Sequence, residues 1–222
     1  PSPEIQPGWA AKLGGRQVAE PSQRDRPGRL HRLPSPAQRP PSLARGLGRL
    51  DDAIMLGEHH VFLDPVNPLG LLNLAAYYIH AGRLDEAIST AQTVVALSPG
   101  APGAQYWTGE ALLRKHEPQA ALKAFALESD DEWRVKGTAV ALYELGRQAE
   151  FEKAFAELRE RWGERWPIEV AHVYAWIGDV DSVFPLLEKE SQTNGVAGVM
   201  IDPYFTHLHK DPRWQPFLEK AG

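Results

Sequence analysis

The strongest constraint on this chain is a pattern that returns after 34 residues. Gly48-Arg-Leu-Asp-Asp-Ala-Ile54 reappears as Gly82-Arg-Leu-Asp-Glu-Ala-Ile88, and Leu63-Asp-Pro65 reappears as Leu97-Ser-Pro99. A further shift by the same interval lays Ala121 on Ala53 and Ala87, and Gly109 on Ala75. A fixed period of this size marks a stack of small units, none of which can bury its apolar face alone. The stretch 71–99 shows what one unit is. Leu71, Leu74, Ala75 and Tyr78 fall at i, i+3, i+4 and i+7, one apolar stripe of a helix. Asn67-Pro68 is a start signal and Gly82 a stop, because glycine enters the left-handed C′ conformation cheaply. Leu84, Ala87, Ile88, Ala91, Val94 and Val95 make a second stripe, ended by Pro99. Small Ala75 and Ala87 suit a close crossing of two antiparallel helices.

The remaining units vary on this theme. The first keeps only its second helix, 50–63, because Pro40 falls at a core position of its expected partner; the apolar side around Ile54 and Val61 is then expected to be exposed. The third runs over 104–127, with Tyr106, Trp107 and Leu112 in one helix and Ala121, Leu122 and Phe125 in the other; His116 stands where the turn glycine was. In the fourth, bulky Phe151 takes the alanine position. The fifth has Val170, Ala171, Tyr174 and Gly178, then Val183, Phe184 and Leu187, with Pro185 expected in the first helical turn. Two Asp-Pro starts, Asp202-Pro203 and Asp211-Pro212, open two short helices whose Phe205, Leu208, Trp214 and Leu218 would cover the open end of the stack.

Over about residues 48–190 the chain resembles the tetratricopeptide repeat family, in its period, its small residues, Tyr78, Phe125 and its prolines. The fold this implies is all-α, a right-handed α-α solenoid of antiparallel helix pairs with C-terminal capping helices. The segment from Val173-Tyr-Ala-Trp-Ile177 to Gly222 is similar to the C-terminal repeat regions of bacterial class III adenylate cyclases, winged-helix regulators and Ser/Thr kinases. Three segments are expected: an arm over 1–46, the array over 47–195, and the capping helices over 196–222.

Charge divides the chain. Residues 1–46 carry eight Lys/Arg against three Asp/Glu, so of the net −5 the remainder carries about −10. An acidic folded part argues against nucleic-acid binding through it. The Pro/Arg/Gly/Ser-rich arm shows no sustained period; a disordered linker, a basic nucleic-acid tail and a stretch that is not native coding sequence all fit it. The absence of cysteine excludes disulfides and thiolate metal sites and suits a reducing compartment, so a cytoplasmic location is expected. No apolar run approaches a membrane span. The chain opens on Pro1 rather than Met and is expected to be a piece of a longer protein.

Enzyme signatures are lacking: no glycine-rich phosphate loop, no Gly-x-Ser-x-Gly elbow, no His-Glu-x-x-His helix. His59 and His60 would point about 100° apart on a helix, and His207 and His209 sit on different faces, so neither pair suggests a metal. His80, His116 and His172 are expected on helix surfaces or in a groove. The expectation is of a non-enzymatic chain with no cofactor and no metal.

The resemblance implies that the first helix of each pair lines a concave groove. Its positions are Leu72, Asn73, Ala76, Ile79 and His80, then Tyr106, Trp107, Glu110, Leu113 and Arg114, then Lys136, Val140 and Tyr143, then Ile168, His172 and Trp176. This reads as an aromatic and aliphatic groove with few cations, suited to an apolar peptide or helix. Leu72 and Ala76 stand where the carboxylate-clamp subtype has polar residues, which argues against that subtype. The expected function is a protein-interaction module. The alternatives are a regulatory or self-associating region of a larger signalling protein, whose partner would be its own N-terminal domain or a second copy, and a stand-alone enzyme.

Overall fold

The structure, a computed structural model, describes residues 49–193 and 199–221; the expected arm over 1–46 lies outside them. Among the described residues there are helices and turns but no strand. The helices are α1 (Leu50–Leu63), α2 (Pro68–His80), α3 (Leu84–Leu97), α4 (Ala104–Arg114), α5 (Pro118–Ala126), α6 (Asp131–Glu144), α7 (Gln148–Trp162), α8 (Pro167–Ile177), α9 (Val180–Thr193) and α10 (Trp214–Ala221). Each of the first nine packs on its neighbour in the chain. In addition α2, α4, α6 and α8 pack on one another in a row. Alternate helices thus form an inner layer and the others an outer one, the arrangement of a helical-repeat solenoid.

Local chemistry sets the boundaries. The Asn67 side chain accepts a hydrogen bond from the Gly70 amide at 3.1 Å, and Pro68 takes the first helical position of α2. Ala75, Ala87 and Ala91 have no exposed surface, so the α2–α3 crossing is as close as their size suggests. Gly82, Gly146 and Gly178 end their helices with φ of 72°, 66° and 80°. His116 does the same job at φ 60°. A side chain in that region is strained against its own backbone, and the His116 side chain is exposed. His116→Gly is therefore expected to stabilise the array by about 1 kcal/mol, read as a raised denaturation midpoint.

One cap comes from far along the chain. The α4 N-terminus follows Gly103 and has no capping side chain of its own. The buried Glu128 carboxylate, beyond α5, accepts from Gly103 N at 3.0 Å and from Tyr106 N at 2.8 Å. Glu190, at the end of α9, accepts from Ile168 N at the start of α8 at 3.3 Å. The carboxylate at the end of each of these pairs thereby ties its two helices together.

Three expectations need correction. Ile54 is not on an exposed face: it is 5% exposed, packed with Leu74, Tyr77 and Tyr78 of α2, while Met55, Phe62 and Leu63 carry the exposed apolar surface of α1. Pro185 is not in a first turn. The Asp179 carboxylate accepts from Ser182 N at 3.2 Å and starts α9 at Val180, so Pro185 is interior and denies a hydrogen bond to the preceding turn. The first of the two short tail helices is not α-helical. Thr206–Lys210 is a 3-10 segment, because a five-residue stretch between two Asp-Pro turns is too short to propagate an α-helix. Phe205, Leu208, Trp214 and Phe217 nevertheless bury against Ala171, Val183 and Leu187 of α8 and α9.

Candidate functional site

The inner layer brings together some of the sequence-derived groove residues and separates others. Ile79, Tyr106, Trp107, Glu110, Lys136 and His172 line one cavity of about 230 Å³. Leu113 and Trp176 line a second cavity beside it, which shares Ile79, His80 and Arg114. Leu72, Asn73, Ala76 and Tyr143 border neither cavity. Trp107, Trp176 and Leu72 are half-buried, Asn73 and Tyr143 exposed, and Ala76, Ile79, Tyr106, Glu110, Leu113, Lys136 and His172 buried. Sequence reasoning missed Trp133, Glu169, Asp202, Pro203 and Tyr204. Glu169 stands 33 residues beyond Lys136 and one turn before His172 on α8, where the 34-residue period does not single it out. Nothing local pointed to Asp202, Pro203 and Tyr204, which come from the C-terminal tail.

Aromatic and aliphatic side chains, Ile79, Trp107, Trp133 and Pro203, line much of the first cavity, and charged groups lie buried beside them. The centre of the face is an ionic network of three cations and three carboxylates. Lys136 on α6 pairs with Glu169 on α8. His172, one turn along α8, faces Glu169 with Nδ1 at 3.4 Å and Asp202 with Nε2 at 3.2 Å. Arg114 donates from Nε to Glu110 Oε1 at 2.9 Å within α4. Glu110 Oε2 accepts the Tyr204 hydroxyl at 2.6 Å and the Tyr106 hydroxyl at 3.5 Å. Tyr204 stacks on His172 with centroids 4.5 Å apart, and the Arg114 guanidinium lies 4.9 Å from the Tyr204 ring centroid. Lys136 sits over the Tyr106 ring at 4.7 Å. Residues of three inner helices and the tail thus meet in one buried knot. His172, expected on a surface or in a groove, lies within it.

Burial and pairing compete at His172, Asp202 and Glu169, and pairing wins at all three. Burial would depress the His172 imidazole, but Asp202 and Glu169 outweigh it, against opposition from Lys136, and hold its pKa up at about 9. Burial would raise Asp202, but His172, assisted by His80 and the Tyr204 amide, brings it down to about 2. Burial opposes the charge on Glu169 too; Lys136 and His172 overcome it and hold the carboxyl well below its ordinary range. Burial and the Glu110 carboxylate push the Tyr204 and Tyr106 phenols well up, so both stay neutral donors. At neutral pH the His172 imidazolium therefore uses both N–H groups and has no lone pair to accept a proton. The network is suited to holding and recognising groups.

A pH dependence follows with a definite sign. The raised His172 pKa contributes stability that is complete below its unfolded value of about 6.5 and disappears as pH climbs through about 9. The lowered Asp202 pKa contributes stability that is complete above about 3.9 and disappears as pH falls through about 2. Docking of residues 202–208 is expected to be firmest between about pH 4 and 6.5 and to loosen toward pH 9–10. Amide exchange of Phe205 and Leu208 against pH checks this, and His172→Gln should flatten the alkaline limb.

The other histidines outside the cavities lie apart. His59, His60, His207 and His209 are exposed, and His209 packs on Trp214. Among the described residues no helix is long and apolar enough to cross a membrane.

Comparison with known proteins adds the family context. The tetratricopeptide repeat family model matches residues 42–102 and 72–133. The chain is 34% identical over 135 residues to a cytochrome c-type biogenesis protein, CycH, of Rhizobium meliloti, a match that covers 56% of this chain but only 35% of that protein. The chain thus spans about a third of the length of that relative. Among solved structures, a thermophilic TPR protein of Thermus thermophilus superposes with a TM-score of 0.57 at 17% identity, over 82% of this chain and 94% of that one. A tetratricopeptide repeat protein of Parabacteroides merdae gives 0.52 at 18% identity, over 82% and 74%. At these identities the structures speak for the fold.

Proposed function

We propose that this chain, an α-α solenoid similar to tetratricopeptide repeat proteins, is a protein-interaction module whose concave face takes a segment of another protein. The observation that carries the reading is the cavity on the inner helices, walled by Ile79 and the half-buried Trp107 and Trp133 beside a charged floor. Half-buried tryptophans over a hollow of side-chain size are what an interface hot spot needs: large apolar area, little entropy to lose, and a place for an anchor. The Rhizobium meliloti relative is named for cytochrome c-type biogenesis, and a chain of this fold would serve such a process by holding a protein rather than transforming it. Its lack of cysteine suits a reducing compartment, and the cytoplasm is the location we propose.

Affinity capture with the full chain, compared with a Trp107→Ala variant, tests the groove. The variant should melt within a few degrees of the parent and bind a captured partner about tenfold or more weakly. Equal affinity for parent and variant would remove the concave face from the proposal.

A further inference from the structure

We infer that the turn Asp202-Pro203-Tyr204 is an internal occupant of the concave face, and that the external ligand of the same site is a partner segment with a carboxylate followed two residues later by a hydroxylated aromatic side chain. The inference rests on the reading of that face as the binding surface and says what it recognises.

Hydrogen-bond pairing supplies the first argument. His172 on α8 faces Glu169 of its own helix through Nδ1 at 3.4 Å, and its other ring nitrogen, Nε2, faces Asp202 of the tail at 3.2 Å. His172 is buried, and a buried ring nitrogen left without a partner costs its full desolvation. The site therefore calls for a partner at that nitrogen, and a carboxylate is what the tail supplies.

The second argument is the phenol. Glu110 is 1% exposed, and Tyr204 reaches it across 94 residues of sequence at 2.6 Å. The ring is surrounded by chemistry specific to an aromatic: His172 stacks at 4.5 Å, with the Arg114 guanidinium at 4.9 Å and Trp176 at 5.6 Å. His172 thus meets both, the acid through Nε2 and the phenol ring through its face, while Glu110 meets the hydroxyl.

The third argument is the space left over. The turn is tight, with Tyr204 N donating to Asp202 Oδ1 at 2.9 Å, and Pro203 walls the cavity of about 230 Å³ without filling it. The tail's apolar anchors, Phe205, Leu208, Trp214 and Phe217, belong to the cap on α8 and α9 and do not enter this hollow. A longer external segment can place a large side chain between Ile79, Trp107 and Trp133 while repeating the acid and the phenol. It thereby gains contacts that the internal turn lacks. Occupancy by the tethered turn lowers the apparent affinity for any such segment by the fraction of time the site is open.

The test uses the full chain and a fluorescein-labelled synthetic peptide of residues 199–210, titrated by anisotropy. The parent should bind it weakly. Tyr204→Phe removes the hydroxyl bond to Glu110, loosens the internal turn and should bind the peptide about tenfold or more tightly than the parent. Peptides carrying Asn for Asp202 or Phe for Tyr204 should lose about tenfold against that variant. If Tyr204→Phe fails to melt cooperatively, Asp202→Asn, which keeps the phenol, takes its place in the same comparison. Equal binding to the parent and to the folded variant, or no binding to either, would show that the turn is only part of the cap and would overturn the inference. Partner capture that stays sensitive to Trp107→Ala in that event would leave the interaction role standing, so the two failures are distinguishable.

Discussion

Replacing Phe125 by alanine is expected to cost about 3–5 kcal/mol and to uncouple the third repeat from the fourth. The Phe125 ring is fully buried on α5 and fills the gap between two inner helices at their glycines. A Cβ added at Gly109 of α4 would lie 2.5 Å from the ring, and one added at Gly137 of α6 would lie 2.3 Å from it. The absence of side chains at those two positions and the presence of this one form a single packing solution. Its loss would leave a cavity shared by α4, α5 and α6, since the glycines have nothing with which to collapse into it. The reciprocal change, Gly137→Ala, should also destabilise, by about 1–3 kcal/mol, through overpacking. Combining Gly137→Ala with Phe125→Leu should recover part of the loss, because the smaller residue makes room for the new methyl. Chemical denaturation of the parent, Gly137→Ala, Phe125→Leu and the double variant measures this; additive effects would show that the residues are not one unit.

Lys136→Met is expected to be comparably severe, at about 3–5 kcal/mol, because it removes one partner of a buried ion pair and leaves the other in place. Lys136 is 3% exposed, and its amine answers Glu169 while lying over the Tyr106 ring. Burial would lower the Lys136 pKa, yet Glu169 raises it above its ordinary value, so the amine is charged throughout the usable pH range. Without it, Glu169 has only His172 to neutralise it, and His172 is then divided between Glu169 and Asp202. The damage should reach the tail: exchange at Phe205 and Leu208 should accelerate more than at Leu71 or Val94 in the second repeat. Pairing the change with Glu169→Gln should restore most of the stability, since the orphaned charge goes too. By contrast, deleting the exposed Arg147–Glu150 pair is expected to be silent, because solvent screens both groups.

Much of the architecture was legible in the chain. The return of Gly-Arg-Leu-Asp-x-Ala-Ile, the alanines that let helices cross and the Asn67-Pro68 start are all local statements, and they hold. His116 was legible as the residue in a glycine's place, and its φ of 60° is the physical meaning of that substitution. Two departures are contacts that a local pattern does not contain. A first-turn place for Pro185 gives way because Asp179 captures the amide of Ser182 and begins the helix earlier. The loss of a partner helix at Pro40 does not expose Ile54, because α2 of the next unit covers it.

The groove went furthest beyond what a pattern can say. Position within a repeat identified Glu110, Lys136 and His172 as inner-face residues, but polarity alone made them incidental to an apolar channel. Their importance comes from burial and from partners 94, 33 and 30 residues away, in that order. Periodicity, small residues and turn chemistry act over one or two turns of helix, so the sequence by itself determined the helices, their pairing and the stack. The burial and pairing of charge on the inner helices, and the seating of the chain's own tail against them, were decided by tertiary structure alone. A carboxylate or phenol carries no sequence signal for the groups it will meet once water has been removed from between them.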